Sequence, residues 1–357
     1  MSRYAVIMAG GSGTRLWPLS RRRRPKQLLR IVEGRSLLRA AYDRLTLVLP
    51  PESIHVVALE EHLPDMAREL PEVPRSNLIG EPMGRDTANA VALAAALLHA
   101  RDPRAVMGVF TADQVIRPSD RFAEVVRRGY AAAEEHPQAL ITFGVKPTEP
   151  HTGYGYIEHG EPAGAGVWRV RTFKEKPDLE TARRYVASGR FYWNSGMFVW
   201  RTETILDHLR RLLPETHAAV QRLAACWKEA DGARLAAEIY PSLRKISIDY
   251  AVLERSEGVL VVEMALEWLD VGHWTALPAV VGADPDGNTC ALARSAMVAS
   301  RGNIVVAEDE HLIALVGVED LVVVRSGDAT LICHREHLHR LKELTAELET
   351  TYEGLYG

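Results

Sequence analysis

The stretch Val6-Ile7-Met8-Ala9-Gly10-Gly11-Ser12-Gly13-Thr14-Arg15-Leu16-Trp17-Pro18 decides how the chain is read; it continues through Leu19-Ser20, an arginine run at 21–24, and Pro25-Lys26-Gln27. Residues 4–8 form an apolar run of the length of a short buried strand. The run breaks into Gly10, Gly11 and Gly13, with Ser12 and Thr14 between them. Glycine accepts positive φ and lets main chain approach a ligand with no Cβ in the way. Successive backbone N–H groups in such a loop form an anion-binding concavity. Arg15 and Lys26 add positive charge. One reading is a loop that wraps a nucleotide polyphosphate; the other is a glycine turn after the first strand of any α/β protein. The dinucleotide fingerprint is not met, because Gly11-Ser12-Gly13-Thr14-Arg15-Leu16 lacks its third glycine. Lys26 is too distant for a Walker A loop.

Around this stretch, 357 residues suffice for one large domain and a smaller one, and 47% hydrophobic residues suffice for a core. A formal charge of −4 exerts no general pull on nucleic acid or an anionic membrane. The run at 21–24 is then either a solvated basic loop or a rim that attracts phosphates. Cys226, Cys290 and Cys333 show no metal-ligand spacing, and their sparse, odd count suits a reducing cytoplasm. Neither a signal peptide nor a membrane-length apolar run is visible.

Downstream, apolar runs alternate with helical patterns. Ser36 is placed to cap a helix over 37–45. Residues 54–59 read as a strand, 61–70 as a helix stopped by Pro71, 77–80 as a strand and 87–99 as an alanine-rich helix. Residues 106–110 read as a strand, 119–136 as a helix and 139–145 as a fifth strand. This alternation predicts a largely parallel sheet covered by helices on both faces. Ligands of such sheets bind beyond the carboxyl ends of the strands. The loops at 10–15, 81–89 and 111–114 all fall there. Asp113, just past a buried strand, is placed to coordinate a divalent cation between phosphates, or to serve as a turn residue.

From Val145 the pattern changes. A loop at 146–158 leads into a strand. Another strand over 167–172 precedes Phe173-Lys174-Glu175-Lys176-Pro177-Asp178, and a helix spans 179–188. Phe191 to Trp200 is an aromatic strand interrupted by Gly196. Helices over 203–213 and 216–230 are separated by Pro214, a short helix begins at 246–254, and a strand spans 259–263 before Trp268-Leu269-Asp270-Val271-Gly272-His273-Trp274. Beyond Pro278, β-branched runs predict a small β domain whose spacing is too irregular for a strict repeat. A terminal helix follows from about 335 to 349. Taken singly, Glu175 and Lys176 read as surface charges, Gly153 as a turn, Asn194 as a bulge or cap, and His273 as a surface histidine.

The joint occurrence of these strings resembles the sugar nucleotidyltransferases, and Leu16-Trp17-Pro18-Leu19-Ser20 looks most like the mannose-1-phosphate guanylyltransferase branch. The resemblance covers about residues 3–335. It implies a Rossmann-like nucleotidyltransferase domain with a mixed, mainly parallel sheet over 1–280. Its nucleotide part would span about 1–145 and its sugar part about 146–280, with a β-rich domain and terminal helix over 281–357. It implies transfer from GTP to α-mannose 1-phosphate, giving GDP-mannose and pyrophosphate, with Mg²⁺ (Mn²⁺ substituting) held by Asp113 and Asp270. Nucleotide contacts would come from Ala9, Gly10, Gly11, Ser12, Gly13, Thr14, Arg15, Lys26, Glu81, Pro82, Arg85, Thr87 and Asp113. Arg15, Lys26, Asp113 and Asp270 would form the catalytic set. Gly153, Tyr154, Glu175, Lys176, Asn194 and Asp270 would hold the sugar phosphate. Glu81 is a candidate acceptor for guanine or a charge in the loop; Arg85 faces phosphate or ties the loop down. Asp249 reads as structural. The chain departs from the family's usual residues at Asp86, Thr111, Gln114 and His273. No long second module follows, so the isomerase domain fused to some relatives is expected to be absent; charge and cysteine count lead to the expectation of a cytoplasmic enzyme with no nucleic-acid or membrane partner, and the family's use of the C-terminal region for dimer contacts to that of a possible homodimer. Two alternatives stand beside this reading: a sibling enzyme with another base or sugar, and a non-catalytic nucleotide-sugar sensor.

Overall fold

The computed structural model describes every residue except Ser12, Glu33, Lys228, Ala230, Glu310 and Gly357. By packing, the chain divides into two compact units that do not follow chain order. The first comprises Met1–Ala9, Ala41–Thr111 and Ile116–Glu267; the second comprises Gly10–Ala40, Ala112–Val115 and Trp268–Gly357.

The strands in chain order begin with β1 (Arg3–Met8), β2 (Ile54–Leu59), β3 (Leu78–Glu81), β4 (Val106–Thr111), β5 (Gln114–Arg117) and β6 (Leu140–Val145). They continue with β7 (Tyr156–Gly164), β8 (Val167–Lys174), β9 (Phe191–Arg201), β10 (Val259–Glu263) and β11 (Glu267–Asp270). The first unit is built on a nine-stranded mixed sheet of order β3-β2-β1-β4-β9-β6-β10-β8-β7. The β3-β2-β1-β4 part is parallel, as is the β6–β10 pair. The strand after β4 in the sheet is not the next in sequence. β9 inserts between β4 and β6, antiparallel to both. Its alternation of Tyr192, Asn194, Phe198 and Trp200 buries almost every residue, which suits a central strand packed on two faces.

The helix Thr87–Arg101 has apolar alanine and leucine positions all round and is buried nearly throughout, as expected for a helix enclosed by its neighbours. It shares a core with Ile205, Leu209, Val220 and Leu223 of the helices Thr202–Leu212 and Pro214–Cys226. Pro214, expected to separate two helices, instead opens the second. At a first helical position the missing N–H costs nothing. That helix ends at Cys226 rather than near 230, a stretch in which residues 228 and 230 lie outside the described residues. The strand β5 falls where a loop was expected. It pairs with β11.

The second unit carries the remaining strands, β12 (Thr289–Ala291), β13 (Arg294–Val298), β14 (Ile304–Ala307), β15 (Leu312–Val316), β16 (Leu321–Ser326) and β17 (Ala329–His334). β12, β14 and β16 stack in parallel on one face, and β13 and β15 on another. This is a short parallel β-helix closed by the antiparallel β17. Asn288 and Asn303 stack at its corner: Asn303 Nδ2 donates to Asn288 Oδ1 (3.0 Å), and Asn303 Oδ1 accepts from Leu321 N–H (2.9 Å). The stacked amides satisfy backbone groups that a tight corner would otherwise strand. The terminal segment is a 3₁₀ turn, Arg335–Arg340, followed by the helix Leu341–Thr351. The core of this unit joins Leu16, Trp17, Leu29 and Ile31 to Trp274, Ile304, Val322, Val324 and Leu341. The aromatic and leucine positions of the opening stretch therefore pack with the C-terminal module. Among the described residues, no helix is long and apolar enough to cross a membrane.

Candidate active site

In the second unit, the glycine loop leads into a 3₁₀ turn, Thr14–Leu16, with Gly13 in the left-handed conformation at its start (φ +59°). A Cβ on Gly13 would lie 2.2 Å from Ser20 Oγ, so both the conformation and the space demand glycine. Gly11 also has positive φ (+124°), and the carbonyl of Gly10 accepts from Gln27 Nε2 at 3.0 Å. Gln27 thereby ties the loop to the Pro25-Lys26-Gln27 end of the signature. Ser12 lies outside the described residues. Thr14 is half-buried and Arg15 exposed. Ala9 belongs to the first unit, where it is buried and donates its N–H to Val57 O (2.8 Å).

Lys26 is only 9% exposed and forms an ion pair with the Asp113 carboxylate. Asp113 lies between β4 and β5, half-buried, and its carbonyl accepts the Val271 N–H at 3.0 Å. That bond sets Asp270 at the neighbouring position of the facing segment. Gly272 leaves room over the second carboxylate, since a Cβ there would be 3.0 Å from Asp270 Oδ2. His273 engages Thr275 Oγ1 at 2.5 Å through Nδ1. Among the described residues no three His, Cys, Asp or Glu side chains gather as a metal-holding group. Asp113 and Asp270 are two carboxylates, a pair that could hold a hard cation whose other ligands come from phosphate and water.

The first unit assembles two further groups. Glu81 ends β3 at 5% exposure, and its Oε1 has no hydrogen-bond partner. Burial pushes its carboxyl from 4.5 up to about 8, with the Tyr240 hydroxyl opposing and Asp86 adding to the rise. The unfolded chain loses this proton near 4.5 while the folded chain keeps it, so the folded state binds more protons between these values. Stability therefore falls as pH rises from about 4.5 to 8, by at most ~1.4 kcal/mol per pH unit from this one group. Glu81→Gln is expected to flatten that slope in melting curves taken across the window; an unchanged slope would remove the burial assignment.

Arg85 donates to the carbonyls of Tyr240 (2.9 Å) and Pro241. These bonds tie the loop to the 240–241 segment. Pro82 is half-buried in the same loop. Asp86 caps the helix Thr87–Arg101 by accepting the Thr87 N–H (2.8 Å), and Thr87 Oγ1 accepts the Ile248 N–H (2.9 Å). Segment 81–89 is thereby pinned to 240–248, with Asn89 Nδ2 donating to the carbonyls of Arg85 and Arg244.

The second group gathers Glu175, Lys176, Asn194 and Asp249. Lys176 takes a left-handed backbone conformation (φ +46°), which is costly for a non-glycine residue and characteristic of functional sites. Its Nζ donates to Glu175 Oε1 at 2.6 Å. Burial acts against the Lys176 charge, but the bond to Glu175 and the Glu175 charge overcome it and raise its pKa. Glu175 is 6% exposed with Oε2 unpartnered. Asn194 Oδ1 accepts from Thr142 Oγ1 (3.0 Å) and Gly196 N–H (3.3 Å), and its Nδ2 donates to Asp249 Oδ1 (2.8 Å). Burial and the nearby Glu175 charge both raise the Asp249 carboxyl.

Gly155 completes this group. Its carbonyl accepts the Asn194 N–H (2.8 Å), and a Cβ on it would lie 2.4 Å from Glu175 Oε2. Gly153, the glycine expected to let the backbone meet the sugar, lies against His151. It donates its N–H to His151 Nδ1 (3.1 Å), and a Cβ there would meet the His151 ring at 2.7 Å. The repeated glycine in Gly153-Tyr154-Gly155-Tyr156 is the available signal for Gly155. Tyr154 stacks on His151 (4.0 Å, 19°) and meets Trp193 edge-on (5.2 Å), an aromatic wall of the kind that covers sugar C–H faces.

Residues 4–286 match the model of the nucleotidyl transferase family, and 294–348 match a MannoseP isomerase/GMP-like beta-helix domain. The chain belongs to the nucleotidyl transferase family. Two similar proteins are the xanthan biosynthesis protein XanB of Xanthomonas campestris pv. campestris, 41% identical, and a mannose-1-phosphate guanylyltransferase of Escherichia coli, 39% identical. The alignments cover 97% and 98% of this chain and 73% and 75% of those proteins. A solved structure from Thermus thermophilus, described as a mannose-1-phosphate geranyltransferase, superposes with a TM-score of 0.87 at 37% identity, covering 98% of this chain and all of that one.

Proposed function

We propose that the chain transfers a guanylyl group from GTP to α-mannose 1-phosphate, releasing pyrophosphate and forming GDP-mannose. The observation that carries this reading is the similarity, over 98% of this chain, to a mannose-1-phosphate guanylyltransferase. It is joined by a glycine loop, a buried lysine, and a carboxylate pair within one compact unit. The sugar-phosphate oxygen attacks the α-phosphorus in line. One P–O bond forms to it as the bond to the bridging oxygen breaks, and pyrophosphate leaves with that electron pair. The attacking phosphate is already anionic near neutral pH, so no general base is required. Phosphoryl chemistry of this kind depends on positioning and charge neutralisation. Lys26 and Arg15 neutralise the triphosphate, and backbone N–H groups of the glycine loop hold it. Glu81 accepts from the guanine N–H edge. Lys176 meets the incoming phosphate, and Glu175 and Asn194 hold sugar hydroxyls. Asp113 and Asp270 would hold Mg²⁺, which supplies further charge neutralisation on the phosphates. Three cysteines with no disulfide among them favour a cytoplasmic setting.

A panel of nucleoside triphosphates and hexose 1-phosphates with Mg²⁺, followed by pyrophosphate release, tests this reading. GTP with mannose 1-phosphate should give the highest kcat/KM. A preference for another base would favour a sibling activity, and no release from any pair would favour a sensor.

A further inference from the structure

We propose that Arg21 and Arg24 are positioning residues that clamp the signature loop to the β-helix module, so that the module sets the posture of the segment carrying Arg15 and Lys26. What that segment binds rests on the function proposed above. Residues 21–24 close on themselves: Arg21 N–H donates to Arg24 O (3.0 Å) and Arg24 N–H to Arg21 O (2.8 Å). The Arg21 guanidinium is committed on three sides. Its Nε donates to Pro18 O (3.1 Å), and its Nη2 donates to Ser326 O (3.0 Å) and pairs with Asp328 (2.7 Å). Arg21 holds the Asp328 carboxyl below its usual range through that hydrogen bond. Ser326 ends β16, and Asp328 lies in the turn before β17. Arg24 pairs with Glu308, the residue after β14, and Ser326 Oγ donates to the same carboxylate.

Two tryptophans lock the other end. Trp17 Nε1 donates to Tyr356 O (2.8 Å), and Trp17 O accepts from Trp274 Nε1 (3.3 Å). The Arg21 guanidinium also lies over the Tyr356 ring at 6.0 Å. Guanidinium is a rigid fork, so occupying it with two carbonyls and a carboxylate fixes the backbone that bears it. For Arg21 and Arg24, protein acceptors take the place that phosphate oxygens would otherwise fill. The reading of these two residues as a phosphate-attracting rim is thereby displaced.

Asp328→Ala and Glu308→Ala leave every arginine in place, so trypsin reports the clamp without reference to activity. Cleavage within 21–24 should accelerate several-fold in each variant. KM for GTP should rise about fivefold, with melting within a few degrees of the parent. Unchanged cleavage and KM in the carboxylate variants, with GTP affinity lost in Arg21→Ala, would place Arg21 on the phosphates and overturn the clamp. Absence of pyrophosphate release by the parent chain would count against the proposed reaction alone.

Discussion

Asp113→Ala is expected to cut turnover by about a thousandfold or more, in a chain that still folds but melts at a lower temperature than the parent. The fold should survive because the bond that positions residue 113 is made by its carbonyl, which accepts the Val271 N–H, and not by its side chain. The chemistry should not survive, for two reasons. Lys26, almost wholly buried, loses the anion beside it and is left as an uncompensated charge. On the function proposed above, the carboxylate pair that would hold the divalent cation is also halved. Asp270→Ala should repeat the loss while leaving the Lys26–Asp113 ion pair intact. Lys26→Ala should lower kcat without raising KM for the sugar phosphate. Near-parent turnover in either aspartate variant would remove that carboxylate from the cation site.

Asn194→Asp is expected to give a destabilisation that grows with pH, reaching about 3 kcal/mol at pH 8. The side chain keeps its size and still accepts from Thr142 and Gly196. It loses the amide donor to Asp249 and adds a third carboxyl beside Asp249 and Glu175. Unfolded aspartates release their protons near ~4. In the folded variant burial and like charge hold protons to higher pH, so the folded state binds more protons and stability falls as pH rises from about 4 to 8. Melting curves at pH 5 and pH 8 should differ more for the variant than for the parent, and KM for mannose 1-phosphate should rise. A pH-independent loss would contradict the three-carboxylate picture.

Much of the first unit was legible because its strands are short apolar runs and its helices carry local punctuation. The helix Leu179–Ser188 begins with Asp178 accepting the Thr181 N–H and ends at Gly189 in the left-handed conformation, and both signals are local in sequence. The place of β9 between β4 and β6 was not legible, because strand order depends on pairing between residues far apart in the chain. The β-helix escaped for a related reason. Thr289 stacks on Ile304 fifteen residues on, and Ile304 on Val322 eighteen residues on. No fixed period therefore marks the coils, although the stacked strands are in register. In the candidate site, residue types were legible and partners were not. Arg85 reads either as a phosphate contact or as a tie for its loop, and Thr87 as a nucleotide contact; their bonds to 240–248 depend on residues far away in the chain that no local pattern names. Asp249 reads as structural, and the partner it holds, the Asn194 amide, lies 55 residues away in the chain.

Guanylyl transfer is tested most directly by incubating the chain with GTP, mannose 1-phosphate and Mg²⁺ and following products by phosphorus NMR. GDP-mannose and pyrophosphate should appear in equal amounts, with no orthophosphate. Persistence of both substrates, or a nucleotide sugar formed only from another base, would contradict it.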